Sequence, residues 1–210
     1  MRLGLYGAAG HGAAGETWRA AVEAAGAVLV PIPVAGVGEG GRGPACHAVL
    51  VTGSEAAGGP TEAIAAFARA GGPVLAIGAG VEIVCALGLL PGRLGERADD
   101  SPGQSASHVR VEGRPTPFTS AIPAGRVLRL PAAPALRQQW QLADLPGLQA
   151  RGQVIFRACD AAGGARRPDA VLGVSNDAGN VVGLLAAVET VAGEGAQLLR
   201  SLRLHLRAKR

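Results

Sequence analysis

The stretch with the most chemical promise is Pro73-Val-Leu-Ala-Ile-Gly78-Ala-Gly80-Val-Glu82-Ile-Val-Cys85. Val74 to Ile77 is a short apolar run suited to a buried parallel strand. Small residues follow at once, and then a helical spacing of Val81, Val84, Cys85 and Gly88. A strand that becomes a helix across one residue is the geometry of a nucleophile elbow, whose strained turn residue is lifted to the top of the sheet. A working elbow carries Ser or Cys at that residue. This chain carries Gly78, which has no side chain to attack with.

Other residues could in principle supply chemistry. Ser54 and His11 both fall in loops that border the same crevice, either as a pair or as ordinary polar loop residues. Cys46 and His47 are adjacent, so on a strand they face opposite ways and cannot form a dyad. Cys85 has apolar or glycine neighbours at helical spacing and reads as a buried structural thiol. His108 and His205 read as solvent-exposed. Glu82 and Glu189 could both flank the crevice and, if close, would raise each other's pKa. Glu189 could equally be a helix N-terminal charge. Gly10-x-Gly12-x-x-Gly15 matches the dinucleotide fingerprint after a first strand. However, the second strand ends Val30-Pro31-Ile32-Pro33, with no acidic residue to hold a ribose, so a simple tight turn competes with cofactor binding. No residue spacing suggests a metal site, and no cofactor is expected.

The elements needed to position these residues follow in chain order. Arg2 to Gly7 reads as a strand, about 16–25 as a helix capped by Gly26, and Ala27 to Ile32 as a second strand. Cys46 to Val51 is a third strand ending at Thr52-Gly53-Ser54, and Glu62 to Ala70 a helix leading to the elbow. Such alternation means a doubly wound, mostly parallel sheet flanked by helices. Ligands on such sheets sit beyond the carboxyl ends of the strands, which gathers Gly7–Gly15, Thr52–Ser54 and Gly78–Gly80 around one crevice. Ser107 to Glu112 and Val127 to Leu130 read as an antiparallel excursion. Pro131 to Leu148 reads as irregular, anchored by Trp140. Gln153 to Cys159, Ala170 to Ser175 and Val181 to Leu185 read as strands, the last two joined by a hairpin turn at Asn176-Asp-Ala-Gly-Asn180. A final helix spans Glu189 to Leu206. The expectation is one domain over residues 1–210.

Composition excludes several classes. A hydrophobic fraction of 48% rules out a disordered chain. The net charge of +4 is partly terminal (Arg200, Arg203, Arg207, Lys209, Arg210), and with aromatics at 3% there is little to stack on bases, so nucleic acid is not expected. Three distant cysteines without a C-x-x-C pair make neither a disulfide scaffold nor a zinc site. No signal peptide or membrane-length apolar run is present, which predicts a cytoplasmic protein.

Four segments carry a resemblance: Gly72-Pro-Val-Leu-Ala-Ile-Gly78-Ala-Gly80 with Gly88-Leu-Leu-Pro-Gly92; Thr116-Pro-Phe-Thr-Ser120; Val127-Leu-Arg-Leu-Pro131; and Gly173 to Leu185. In these the chain resembles the class I glutamine amidotransferases, specifically the glutaminase subunits of phosphoribosylformylglycinamidine synthase in purine biosynthesis. The resemblance implies that fold, and in the family a Gly-Ile-Cys-Asn-Gly elbow whose Cys attacks the glutamine amide. It implies also a closing Pro-His-Pro-Glu whose His takes the thiol proton. Here Gly78 stands at the Cys, Ala187 at the His, and Glu189 alone matches the Glu. Glu82 replaces the glutamine after the elbow, the His-Gly-Glu-Gly segment has become Pro134-Ala-Leu-Arg137, and the oxyanion loop is reduced to Thr52-Gly53-Ser54. Catalytic partners act as a unit, so losing both nucleophile and base removes the route. The expectation is a shell without glutaminase activity, its crevice lined by Thr52, Gly53, Ser54, Gly78, Ala79, Gly80, Glu82, Ala187 and Glu189. Such a shell would serve as a non-catalytic or regulatory subunit docked on a synthase, or as a homo-oligomer. The alternative is a small-molecule or nucleotide binder, or an enzyme, using Gly10, Gly12 and Gly15.

Overall fold

The structure, a computed structural model, describes residues 1–7, 12–32, 46–53, 61–96, 108–130, 138–164, 170–186, 188 and 193–209. Its centre is the apolar run that precedes the elbow. That run forms β4 (Val74–Ile77), wholly buried, with β3 (Ala48–Thr52) on one side and β11 (Val181–Leu184) on the other, both parallel to it. β1 (Arg2–Tyr6) pairs parallel with β3 and with the edge strand β2 (Val28–Pro31). Beyond β11 every pairing turns antiparallel, through β10 (Val171–Ser175), β9 (Val154–Ala158), β6 (His108–Val111) and β7 (Val127–Arg129). The sheet order is β2-β1-β3-β4-β11-β10-β9-β6-β7.

Strand alternation sends side chains to two cores. Leu3, Leu5, Leu50, Leu75 and Ile77 meet Trp18, Ala21 and Val22 of α1 (Gly12–Ala24) and Leu198, Leu199 and Leu202 of α5 (Ala196–Ala208). Val49, Val51, Val74 and Ala76 meet Ile64, Ala65 and Ala68 of α2 (Thr61–Arg69) and Val81 and Val84 of α3 (Gly80–Ala86). The doubly wound expectation therefore holds. The Asn176–Asn180 turn is also where expected, joining β10 to β11 with Gly179 at φ +75.

Several local expectations need correction. The antiparallel portion is four strands rather than a brief excursion near 107–130. The segment read as irregular holds β8 (Gln138–Gln141) and α4 (Leu145–Ala150), and β8 pairs with β5 (Arg93–Glu96) in a separate two-stranded sheet. Trp140 does anchor it, packing over Gly183, where an added methyl group would meet Leu90 and the indole. α1 begins at Gly12 rather than Glu16, and α5 at Ala196 rather than Glu189. β3 begins at Ala48, so Cys46 and His47 precede it, and the His47 ring nitrogen accepts from the Arg2 amide at 3.1 Å. No described helix is long and apolar enough to cross a membrane.

Candidate functional site

At the end of β4 the chain makes the anticipated elbow. Gly78 adopts φ +58, the left-handed conformation in which an elbow holds its turn residue. Its amide donates to the Leu184 carbonyl of β11 at 3.0 Å, and its carbonyl accepts from the Val81 amide at 3.1 Å as α3 begins. Helix and sheet approach so closely that a Cβ on Gly80 would lie 2.2 Å from the Val51 carbonyl oxygen. Small residues in the motif are therefore required by packing. The turn has the shape of an elbow, and its turn residue, Gly78, carries no side chain.

The neighbouring strand ends lie level with it. Thr52 is the partner of Ile77 in β3, and Ile77 the partner of Leu184 in β11. Gly7, with φ +116, crosses directly over Thr52: a Cβ there would overlap the Thr52 carbonyl oxygen. The Thr52 hydroxyl is buried and donates to the Tyr6 carbonyl at 3.3 Å, which commits it to holding β1 against β3. Gly53 follows with φ +81. Beyond β11, Ala186 is buried. Glu82, exposed in the first turn of α3, is well placed against the helix dipole. Ser54, His11, Gly10, Ala187 and Glu189 lie outside the described residues, while Gly12 and Gly15 belong to the first turn of α1.

The described part of the crevice thus offers backbone, methyl groups and one exposed carboxylate. Cys85, the thiol nearest the elbow in sequence, is half-buried, and burial followed by the Glu82 charge pushes its pKa up to about 11. It stays protonated near neutrality, so it has little nucleophilic character. Burial raises the Cys46 thiol as well. Among the described residues no group of His, Cys, Asp and Glu could hold a metal ion.

No family model matches the chain. Individual relatives do. The phosphoribosylformylglycinamidine synthase subunit PurQ of Nitrobacter winogradskyi is 35% identical over 161 residues, covering 69% of this chain and 68% of the relative. The chain belongs to the PurQ family. The PurQ subunit of Synechococcus elongatus is 37% identical over 137 residues, but there the chain spans only 61% of the relative's length. A chain of the PurLQS structure from Thermotoga maritima superposes with a TM-score of 0.73, covering 98% of each chain at 19% identity. At that identity the match speaks for the fold, and it extends the PurQ architecture over nearly the whole chain.

One group of residues escaped the sequence reading. Arg114, His205 and Lys209 line a common pocket at the opposite end of the sheet from the elbow. His205 had been expected to face solvent, yet its Nε2 is buried. The four-residue spacing of His205 and Lys209 marks them as one helix face, but Arg114 joins them only through the fold.

Proposed function

We propose that this chain is a PurQ-family subunit that does not hydrolyse glutamine and that acts as a non-catalytic or regulatory partner of a synthase subunit in purine biosynthesis. The observation that carries the reading is Gly78: the elbow is built, with φ +58 and its amide fixed to Leu184, and it bears no attacking atom. In the family resemblance the Cys occupies this position and the His the position of Ala187, so neither the thioester nor the proton transfer that makes it has an agent. Cys85 is no substitute, since its thiol is protonated and two helical turns removed. Retention of the PurQ fold without its chemistry favours docking as the remaining role, and the Thermotoga assembly offers the kind of partner to seek.

The test has two arms. Purified protein, alone and with the synthase subunit of its host, is expected to release no ammonia from glutamine above background. An electrophilic glutamine analogue should leave its intact mass unchanged. Turnover in the wild type that persists in a Gly53→Ala/Ser54→Ala variant would reveal another nucleophile and overturn the reading. For the docking half, affinity capture from the host followed by sizing should recover a synthase. Recovery of monomer or homodimer alone would remove it.

A further inference from the structure

A second site lies at the amino-terminal ends of β4 and β11, away from the elbow and independent of the reading above. There the end of α2, the β10–β11 hairpin, the turn after β6 and the last two turns of α5 enclose a pocket of about 260 Å³. Its walls are fixed. The Asn180 side-chain amide donates to the carbonyls of Ala68 at 2.7 Å and Gly72 at 2.9 Å, and Asn176 bonds Asn180 across the turn at 3.0 Å. Arg114 Nη2 donates to the carbonyl of Asn176 at 2.6 Å and to that of Asp177, which holds the guanidinium over the pocket.

The lining is basic and incompletely satisfied. Arg114 Nε and His205 Nε2 are both buried and meet no hydrogen-bond partner among the described residues. Lys209 stands one turn beyond His205. No carboxylate belongs to the described lining. The nearest in sequence, Asp177, is 89% exposed and lies 4.0 Å from Arg151. Buried polar groups in folded proteins are ordinarily paired, so two unpartnered nitrogens on residues that line one cavity with Lys209 mark hydrogen-bonding capacity that the described residues leave unmet.

We propose that this pocket binds a phosphate group, held by Arg114, His205 and Lys209. Donors arriving from separate segments suit an acceptor with oxygens directed several ways, and charge-assisted bonds from Arg and Lys to phosphate are the strong kind. The volume falls below the roughly 300 Å³ at which pockets for drug-sized ligands begin, so the ligand is inorganic phosphate or a small phosphate monoester. Burial, and then the Lys209 charge, lower the pKa of His205. A bound anion opposes the second effect, so the imidazole should titrate at higher pH when phosphate is present. Arg114 and Lys209 are the other charged groups of the described lining.

The test is binding by the full chain of inorganic phosphate and of a pentose 5-phosphate, with chloride at matched ionic strength and citrate as controls. Thermal shift and calorimetry report affinity, and the His205 ring resonances, assigned with a His205→Gln variant, report location. Expected are saturable stabilisation by phosphate, an upward shift of the His205 titration, and binding weakened about tenfold or more in Lys209→Gln/His205→Gln. Tighter binding of the ester identifies an organic phosphate, and equal binding identifies the free ion. Both outcomes support the site. Arg114 also secures the hairpin, so His205 and Lys209 make the decisive variant. Phosphate acting no better than chloride, citrate binding equally well, or unchanged affinity in a folded double variant would overturn it.

Discussion

Gly78 and Gly80 are two positions apart yet constrained for different reasons, and substitution should separate them. Gly78→Ala must place a Cβ at φ +58, a conformation that costs L-residues roughly 1–2 kcal/mol. Gly80→Ala must push against main chain, the Val51 carbonyl oxygen at 2.2 Å, which cannot rotate away. Its cost should be larger, about 3 kcal/mol, read as a lower urea midpoint at unchanged slope. Cys85 supplies a further check at this scale: with its pKa near 11, it should alkylate slowly near neutral pH in the native state and rapidly once unfolded. A third concerns Glu112, which bonds Arg157 at 3.0 Å and also pairs with Arg110. Burial alone would raise the pKa of this carboxyl, but the two arginines prevail and lower it. Its folded pKa therefore lies below its unfolded one. The stability it contributes is complete above the ordinary glutamate pKa of about 4.3 and is lost as pH falls through the depressed value. Glu112→Ala should cost about 2 kcal/mol at pH 7, because a charge-assisted bond to the buried Arg157 is lost. The deficit relative to wild type should shrink in acid. The elbow was legible because an apolar run followed by small residues has few other meanings. The Glu112–Arg157 pair was not, since β9 is buried along its whole length and nothing in Val154–Ala158 marks which way the arginine points.

Among the elements, those with an apolar period were readable and those without it were not. β3, β4 and β11 are nearly continuous aliphatic runs, and their existence follows from that. β5 and β8, by contrast, read Arg-Leu-Gly-Glu and Gln-Gln-Trp-Gln, with no alternation to distinguish strand from loop. They are strands because Trp140 is held over Gly183 and Leu90, a tertiary contact. The basic pocket was missed for a similar cause, as its residues come from distant segments. The tie between α2 and β11 is similarly non-local and concentrated in one side chain. Asn180→Ala removes the bonds to Ala68 and Gly72; the Ala68 carbonyl still accepts from the Gly71 amide, so the Gly72 carbonyl is the one left to find water. A loss of about 2 kcal/mol is expected in chemical denaturation, with hydrogen-exchange protection falling first in the hairpin and at the start of β4.

Across the whole molecule, β11 is the seam. It takes a parallel neighbour, β4, on one side and an antiparallel neighbour, β10, on the other, which joins the wound half carrying the elbow to the meandering half. The two ends of the sheet differ as well. Among the described residues, the carboxyl end presents glycines, alanines and one exposed glutamate, whereas the amino end presents Arg114, His205 and Lys209 around a defined cavity. That polarity separates the two proposals, since the absence of glutaminase chemistry proposed at one end places no demand on the other. The seam also has a consequence for how the protein is made. Gly72 and Asn180, at the start of β4 and β11, are separated by 108 positions. While the ribosome is still adding the antiparallel strands, β4 has its β3 neighbour available but its other backbone edge open. An unpaired apolar strand in a nascent chain invites pairing with the wrong partner. The middle of this sheet is therefore its last part to close during synthesis, and chaperone occupancy on translating ribosomes should peak between emergence of β4 and emergence of β11.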